Sequence, residues 1–334
     1  MENLKEVSII IPVCNVRKYI LRCLNSVAAQ SFSSIECWLV DDCGNDDSIK
    51  IAEKFVNEYH GSIAFHIIHH QTNQGPSAAR NMGVSVANGK YVFFIDSDDA
   101  ITPDCIEVLY ALMQKYPNAD FAQGNLVEGT GVLMTSAHKS SVPEYTDDHK
   151  SLENIILLQT NRTAWNKLIR RTFLISHNIA FPEGLLMEDH LWTYLMAKHA
   201  RAAAYTAKGT YFYYRNEGSI VTSTSKDIRK KRYQSYLETI DIINDDLQYR
   251  DIQPCHHIYV GEVIYFVMRD LSKLHSLSHW GVFWHWTFCF LRHPNSSQSK
   301  QWRMLTCCMM PPLCFLMAFA SWRWRLRHYI IGRL

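Results

Sequence analysis

Residues 89–99 read GKYVFFIDSDD. Five consecutive apolar residues, Tyr91–Ile95, stand between a glycine turn and a knot of acids, as expected of a strand buried on both faces. The same grammar runs upstream. Val7–Pro12 (VSIIIP) is a β-branched run, Ile35–Val40 a second strand ending at Asp41-Asp42, and Ala64–Ile68 a third. Helical spacing fills the gaps. Ile20, Leu24, Val27 and Ala28 share one face, and so do Ile49, Ala52, Phe55, Val56 and Tyr59, with Asp46, Asp47 and Ser48 as capping candidates. Gly75-Pro76-Ser77 opens a third helix to about Ala87, and Thr102-Pro103 reads as an N-cap followed by proline at the first helical position. Strands alternating with helices predict the α/β class, a Rossmann-like, mostly parallel sheet flanked by helices. Ligands of such sheets bind beyond the carboxyl ends of the strands. Those ends carry Cys14-Asn15, Asp41-Asp42 and Asp96-Ser97-Asp98-Asp99.

The acids after Ile95 have two readings. Clustered carboxylates repel one another unless a cation sits among them, and hard oxygen ligands suit Mg²⁺ or Mn²⁺. Alternatively they cap a turn and a helix. Spacing alone leaves both open, since DxD is a short pattern.

Charge divides the 334-residue chain. Of 34 Lys and Arg, eight follow Asp270 and no acid does, so residues 1–270 hold 26 basic against 32 acidic side chains, a net of −6. Six of the nine Trp lie in the same C-terminal stretch. Ten Cys form no CxxC pair and no secretory signal precedes them, which favours reduced, buried thiols in a cytoplasmic protein. His69-His70 and His256-His257 have no neighbouring ligand set in sequence, which argues against a zinc site.

Seven segments in order make a family visible. VSIIIPVCN (7–15), LVDDCGNDDS (39–48), NQGPSAARNMG (73–83), GKYVFFIDSDD (89–99), WNKL (165–168), FPEGLLMEDH (181–190) and YYRNEGSIVTS (213–223) together resemble family 2 glycosyltransferases. The resemblance covers about residues 5–225. It implies a GT-A fold, a nucleotide-diphospho-sugar donor with a UDP-sugar first in line, a Mn²⁺ or Mg²⁺ cofactor, and inversion at the anomeric carbon. By the same resemblance, Pro12, Val13, Asp41 and Asp42 read the nucleotide base, and Asn73, Gly75 and Arg80 lie on the donor side. Asp96 and Asp98, with Ser97 between them, hold the ribose and the metal. Asp189 is the general base, and Trp165, Glu188 and His190 face the acceptor. Each also has a plainer role. Asp41 or Asp42 could cap a loop, Arg80 could be a surface cation, Glu188-Asp189 a favourable acidic start to a helix, Trp165 core packing and His190 a helix-surface side chain. Cys14 stands where many relatives place an aromatic residue against the base.

The expected organisation is a catalytic domain over 1–225 and a helical, basic, Trp-rich region over 226–334. Met304–Ala320 is apolar but interrupted by Pro311-Pro312, and WRWRLR follows at 322–327. Arg and Trp interleaved beside an apolar run suit a surface-bound element on anionic lipid; a packed helical cap and a membrane span are the other readings. An acidic body argues against nucleic acid as partner. The expected activity is hexosyl or N-acetylhexosaminyl transfer to a glycan or lipid-linked oligosaccharide at the inner face of the cell membrane, in surface polysaccharide synthesis. A nucleotidyltransferase would want a Gly-rich, Lys-containing loop after the first strand, where Pro12-Val13-Cys14-Asn15 stands. A catalytically silent nucleotide-sugar scaffold is the alternative of a different class, against which the intact Asp96, Asp98 and Asp189 speak.

Overall fold

The computed structural model describes residues 5–127, 142–216 and 223–271. Their elements, in chain order, are β1 (Val7–Val13), α1 (Ile20–Ala28), β2 (Ile35–Asp41), α2 (Ser48–Glu58), β3 (Ala64–His69), α3 (Gly75–Val86), β4 (Tyr91–Phe94), β5 (Ala100–Ile101), α4 (Cys105–Lys115), β6 (Phe121–Leu126), β7 (Tyr145–Thr146), α5 (His149–Leu158), β8 (Lys167–Arg170), α6 (Arg171–Ser176), α7 (Asp189–His199), β9 (Ala203–Phe212), α8 (Lys226–Leu247) and α9 (Pro254–Leu271).

All nine strands join one sheet, in the order β3-β2-β1-β4-β8-β6-β9-β5, with β7 also on β9. The first four are parallel, as alternating strands and helices require. Beyond β4 the sheet is mixed: β8 runs antiparallel to both β4 and β6, while β9 is parallel to β6. Side-chain alternation sorts the core into two layers. Val7, Ile9, Ile11 and Val13 of β1 pack with α1 and α4 on one face. Ile10 points to the other, with Val92 and Phe94 of β4 and residues of α5, α7, α8 and α9. The last two helices therefore share a core layer with the sheet.

Register sets where the chain leaves the sheet. Val13 of β1, Asp41 of β2 and His69 of β3 lie level. Phe94, the last residue of β4, pairs with Ile10, three residues short of the end of β1. The acids after Ile95 therefore turn out of the sheet beside the final residues of β1.

The start of α4 differs from the expectation. Its N-cap is Asp104, and Thr102-Pro103 forms the preceding turn, in which Cys105 N–H donates to the Thr102 carbonyl at 3.0 Å. Thr102 N–H donates to the Thr210 carbonyl of β9 at 2.9 Å, so the ladder begun by β5 continues through Thr102 and the helix starts after the turn. The six described cysteines are free thiols, four of them buried. No helix among the described residues is long and apolar enough to cross a membrane. The apolar and basic stretches of 272–334, where a membrane contact was expected, lie outside the described residues.

Candidate active site

Three clusters line the carboxyl end of the sheet. The first lies at the ends of β2 and β3. Asp41 accepts from Cys43 N–H at 3.1 Å and pairs with His69 Nδ1 at 3.0 Å. The next residues repeat the pairing on the opposite face: Asp42 pairs with His70 Nδ1 at 2.8 Å and accepts from the N–H groups of Gln74 and Gly75, each at 2.8 Å. Asp42 is 2% exposed and its carboxylate is spent on His70 and the 73–75 loop, whereas Asp41 remains partly exposed at the end of β2. Asn73 closes the same loop, donating to the Asp42 carbonyl at 2.7 Å and to Cys14 Sγ at 3.3 Å. Gly75 has a φ of +87°, which an L side chain rarely adopts. Pro12 is half-buried and Val13 buried, so Val13 can offer a ligand only backbone.

The second cluster follows β4. Carboxylate oxygens of Asp96, Asp98 and Asp99 lie within 4.8 Å of one another. Asp99 is 1% exposed and fixed by Tyr211 OH at 2.8 Å and Tyr214 N–H at 2.9 Å. Asn216 donates to Asp98 at 2.7 Å, and Arg22 grips the Asp98 carbonyl while stacking on Tyr214, 3.6 Å from its ring centroid. Burial, then the neighbouring Asp96, raises the Asp98 carboxyl above its ordinary range; burial with Asp96 and Asp98 pushes Asp99 up to about 8. Three oxygen donors that repel one another are the chemistry of a hard-cation site, and the set fits Mg²⁺ or Mn²⁺. Ser97 is 6% exposed between them.

The third cluster opens α7. Met187, at φ +65°, delivers Glu188 and Asp189 to the first turn. A methionine in the left-handed region is strained, and such strain gathers at functional sites. Asp189 accepts from Ala164 N–H at 3.1 Å. Burial, then Glu188, pushes its carboxyl up to about 7. Arg80 joins the second and third clusters. Only 4% exposed, it donates to Asp96 at 2.9 Å and to Glu188. Burial works against its charge, but Asp96, Glu188 and Asp189 more than offset that and keep the guanidinium protonated.

Two expected acceptor residues face elsewhere. Trp165 is 3% exposed and stacks on Tyr211, centroids 4.4 Å apart. His190 turns into the helical layer against Tyr236, Tyr259 and Phe266, where burial drives its pKa down to about 3 and keeps it neutral. Residues to which sequence reasoning assigns no role at the site complete it: Asn216, Tyr211 and Arg22 around the acids, and His69 and His70 behind Asp41 and Asp42. Asn216 stands in the 213–223 segment and His69-His70 reads in sequence only as a zinc pair, whereas Tyr211 and Arg22 carry no local signal.

A second group of ligand-type side chains, Glu153, Cys255 and His256, lies buried between α5 and α9. His256 Nδ1 accepts from Gln253 N–H, so Nε2 carries the ring proton and points it at Glu153, 3.3 Å away. Arg250 also donates to Glu153, at 2.6 Å. A protonated ring nitrogen and a guanidinium leave no room for a metal. The sequence argument against zinc missed Glu153 as a neighbour; proton placement, not a lack of ligands, closes the site.

Comparison with known proteins places these clusters in context. The sequence model described as Glycosyl transferase family 2 matches residues 8–176, half of the chain. The chain is 28% identical over 243 residues to the uncharacterized glycosyltransferase YibD of Escherichia coli, covering 71% of this chain and 69% of that protein. It is 32% identical over 250 residues to the poly(ribitol-phosphate) β-N-acetylglucosaminyltransferase TarS of Staphylococcus aureus, covering 72% of this chain but 41% of TarS. The chain thus spans less than half of that curated relative. In three dimensions it resembles the crystal structure of TarS 1–349 in complex with UDP-GlcNAc, with TM-score 0.60 and 24% identity over 91% of this chain and 79% of that one. A Pyrobaculum calidifontis mannosyltransferase in complex with GDP-Man and Mn²⁺ shares the fold at TM-score 0.52 and 14% identity, over 92% and 87% of the two chains. Motif order, sheet topology and family match agree, and the chain belongs to glycosyltransferase family 2, with the GT-A fold.

Proposed function

We propose that the protein is a metal-dependent, inverting transferase that moves a hexosyl or N-acetylhexosaminyl group from a nucleotide-diphospho-sugar to a hydroxyl of a glycan or lipid-linked acceptor, in bacterial surface polysaccharide assembly. The observation that carries the reading is the buried Arg80 bridge, which ties the acids after β4 to the Glu188-Asp189 pair and so joins a leaving-group end to a base end.

Asp96 and Asp98, with Asp99 behind them, would hold a divalent cation, Mn²⁺ or Mg²⁺. When bound, it would supply positive charge for the diphosphate as the glycosidic bond breaks. Arg80 fixes the orientation of Asp96 and adds charge at the same end. Asp41, Pro12, Val13 and Asn73 supply polar and backbone groups for the base and ribose, and Asp42 and Gly75 shape the loop around them. UDP in the TarS complex supports uridine as the first choice; GDP-Man in the mannosyltransferase keeps guanosine in the panel. Asp189, with a proton affinity near neutral, suits removal of the acceptor hydroxyl proton as the bond to the sugar forms. With Asp189 as base and the neighbouring Glu188 held by Arg80, the sugar would pass in a single displacement, hence inversion.

The acceptor assignment draws on the TarS name and on the tail. Residues 1–225 would carry the site, and the basic, Trp-rich end of 226–334 would meet the anionic inner membrane surface. The test is metal-dependent hydrolysis of a nucleotide-sugar panel: UDP-GlcNAc, UDP-Glc, UDP-Gal and GDP-Man, with Mn²⁺ or EDTA. Turnover of one donor that stops in EDTA is expected; no hydrolysis and no binding of any donor would contradict the proposal.

A further inference from the structure

Behind the Asp189 carboxylate lies a buried lysine with no acid as hydrogen-bond partner. Lys167 opens β8 and is 2% exposed. Its ammonium donates to the Asn161 carbonyl at 3.0 Å and to the Thr163 carbonyl. Both belong to the loop that ends at Ala164, whose N–H holds Asp189. One side chain thus braces the backbone that grips the carboxylate. Beside it, the amide of Gln123, its register partner on β6, is fully buried.

Charge leads to the same residue. The groups facing Asp189 are Glu188 on its own helix, Arg80 from α3, Asp96 from the end of β4 and Lys167 from β8. Tyr259 of α9 stands behind, donating to the His190 carbonyl at 2.6 Å. Three carboxylates face two cations, and Arg80 is hydrogen-bonded to Asp96 and Glu188. Lys167 is the second positive charge acting on Asp189, after Arg80. Burial lowers its pKa to about 7 and Asp189 opposes that fall, so each group favours the charged form of the other.

We infer that Lys167 is a positioning residue of the transfer site: its ammonium fastens the 161–164 loop that holds Asp189, and supplies the second positive charge against the Asp96, Glu188 and Asp189 carboxylates. This rests on the reading of Asp189 as the base. Lys167 touches neither donor nor acceptor. It sets the pH at which Asp189 is ready.

The test is a set of pH profiles from 5.5 to 9.5 for full-length Lys167→Met, Lys167→Gln and Lys167→Arg. Each profile uses Mn²⁺ and whichever of UDP-GlcNAc, UDP-Glc, UDP-Gal or GDP-Man the wild type hydrolyses fastest, with donor affinity measured by calorimetry. Met and Gln should move the acid limb up by about one pH unit, which is about fivefold in rate at pH 7 and approaches tenfold below about pH 6. Their rates should approach the wild type above pH 9, and donor affinity should hold. Arg, which keeps the charge, should leave the limb near its wild-type position. A limb that stays put in Met and Gln while the rate falls uniformly would overturn the role. So would loss of donor binding in all three variants, which would make Lys167 a residue of the fold alone. A flat wild-type profile would instead overturn the reading of Asp189 as the base, and this inference with it.

Discussion

As the proposed base, Asp189 trades stability for chemistry. Its carboxyl is raised to about 7, mainly by burial, whereas an unfolded chain ionises aspartate near 3.9. The stability gained by keeping it protonated is therefore present below about pH 4 and lost as pH rises through 7. A base must be ionised, so hydrolysis and transfer should fall about tenfold per pH unit below 7 and level off above it. A steady-state profile checks this, and a rate that falls between pH 6 and 8 would exclude Asp189. The acids after β4 make a parallel case, because they repel one another until a cation binds. Mn²⁺ at a hundred times its dissociation constant should stabilise the fold by about 2.7 kcal/mol. Thermal unfolding should therefore shift upward by a few degrees. Asp98→Ala should lose that shift, and an equal response in the variant would move the metal elsewhere.

At the scale of elements, the parallel half of the sheet was legible because β1 and β4 are covered on both faces and so read as unbroken apolar runs. The antiparallel half was not. β5 and β7 are two residues each, and β8 is four residues that include a buried lysine, so none has a period to detect. The same limit applies to the site. Asp96, Asp98 and Asp189 stand in motifs with roles attached, whereas Asn216, also in a motif, reaches Asp98 from 118 residues away and His69 meets Asp41 only through strand register. Trp165 and His190 sit inside motifs yet face the core, because a motif fixes position and not direction. Among the helices, α8 and α9 are joined by Arg232 and Asp270, whose side chains are 3% and 0% exposed. Asp270→Ala removes the carboxylate that grips the buried Arg232 guanidinium through two nitrogens and should cost about 3–5 kcal/mol in urea unfolding. Replacing both residues, as Arg232→Met with Asp270→Leu, should recover most of the loss. A single replacement as stable as the wild type would show that the pair is solvated.

For the whole molecule, the C-terminal helices and the candidate site are joined by direct contacts. Arg162, within the loop that holds Asp189, pairs with Glu262 of α9, and Tyr259 supports the start of α7. A chain ended after residue 225 should therefore fail to fold stably, since Trp192 and Tyr194 would lose the helices packed on their layer. One ended after Leu271 keeps the Arg232–Asp270 pair and should still hydrolyse donor. It also loses eight cations and six Trp, and with them about 1 kcal/mol of attraction per basic residue near an anionic surface. Flotation with phosphatidylserine or phosphatidylglycerol vesicles should recover the full chain and leave the shortened one behind. Equal flotation of both would remove the tail from the account.

The central claim is that one site binds the donor through Asp41 and the acids after β4 and activates the acceptor through Asp189. Asp189→Asn separates the two functions. Calorimetry with Mn²⁺ and the preferred nucleotide sugar should give a donor affinity within about twofold of the wild type, while turnover falls by about 10²–10⁴-fold, the usual scale for a general base. Turnover within a few-fold of the wild type would contradict the account and pass the role to another carboxylate, Glu188 first.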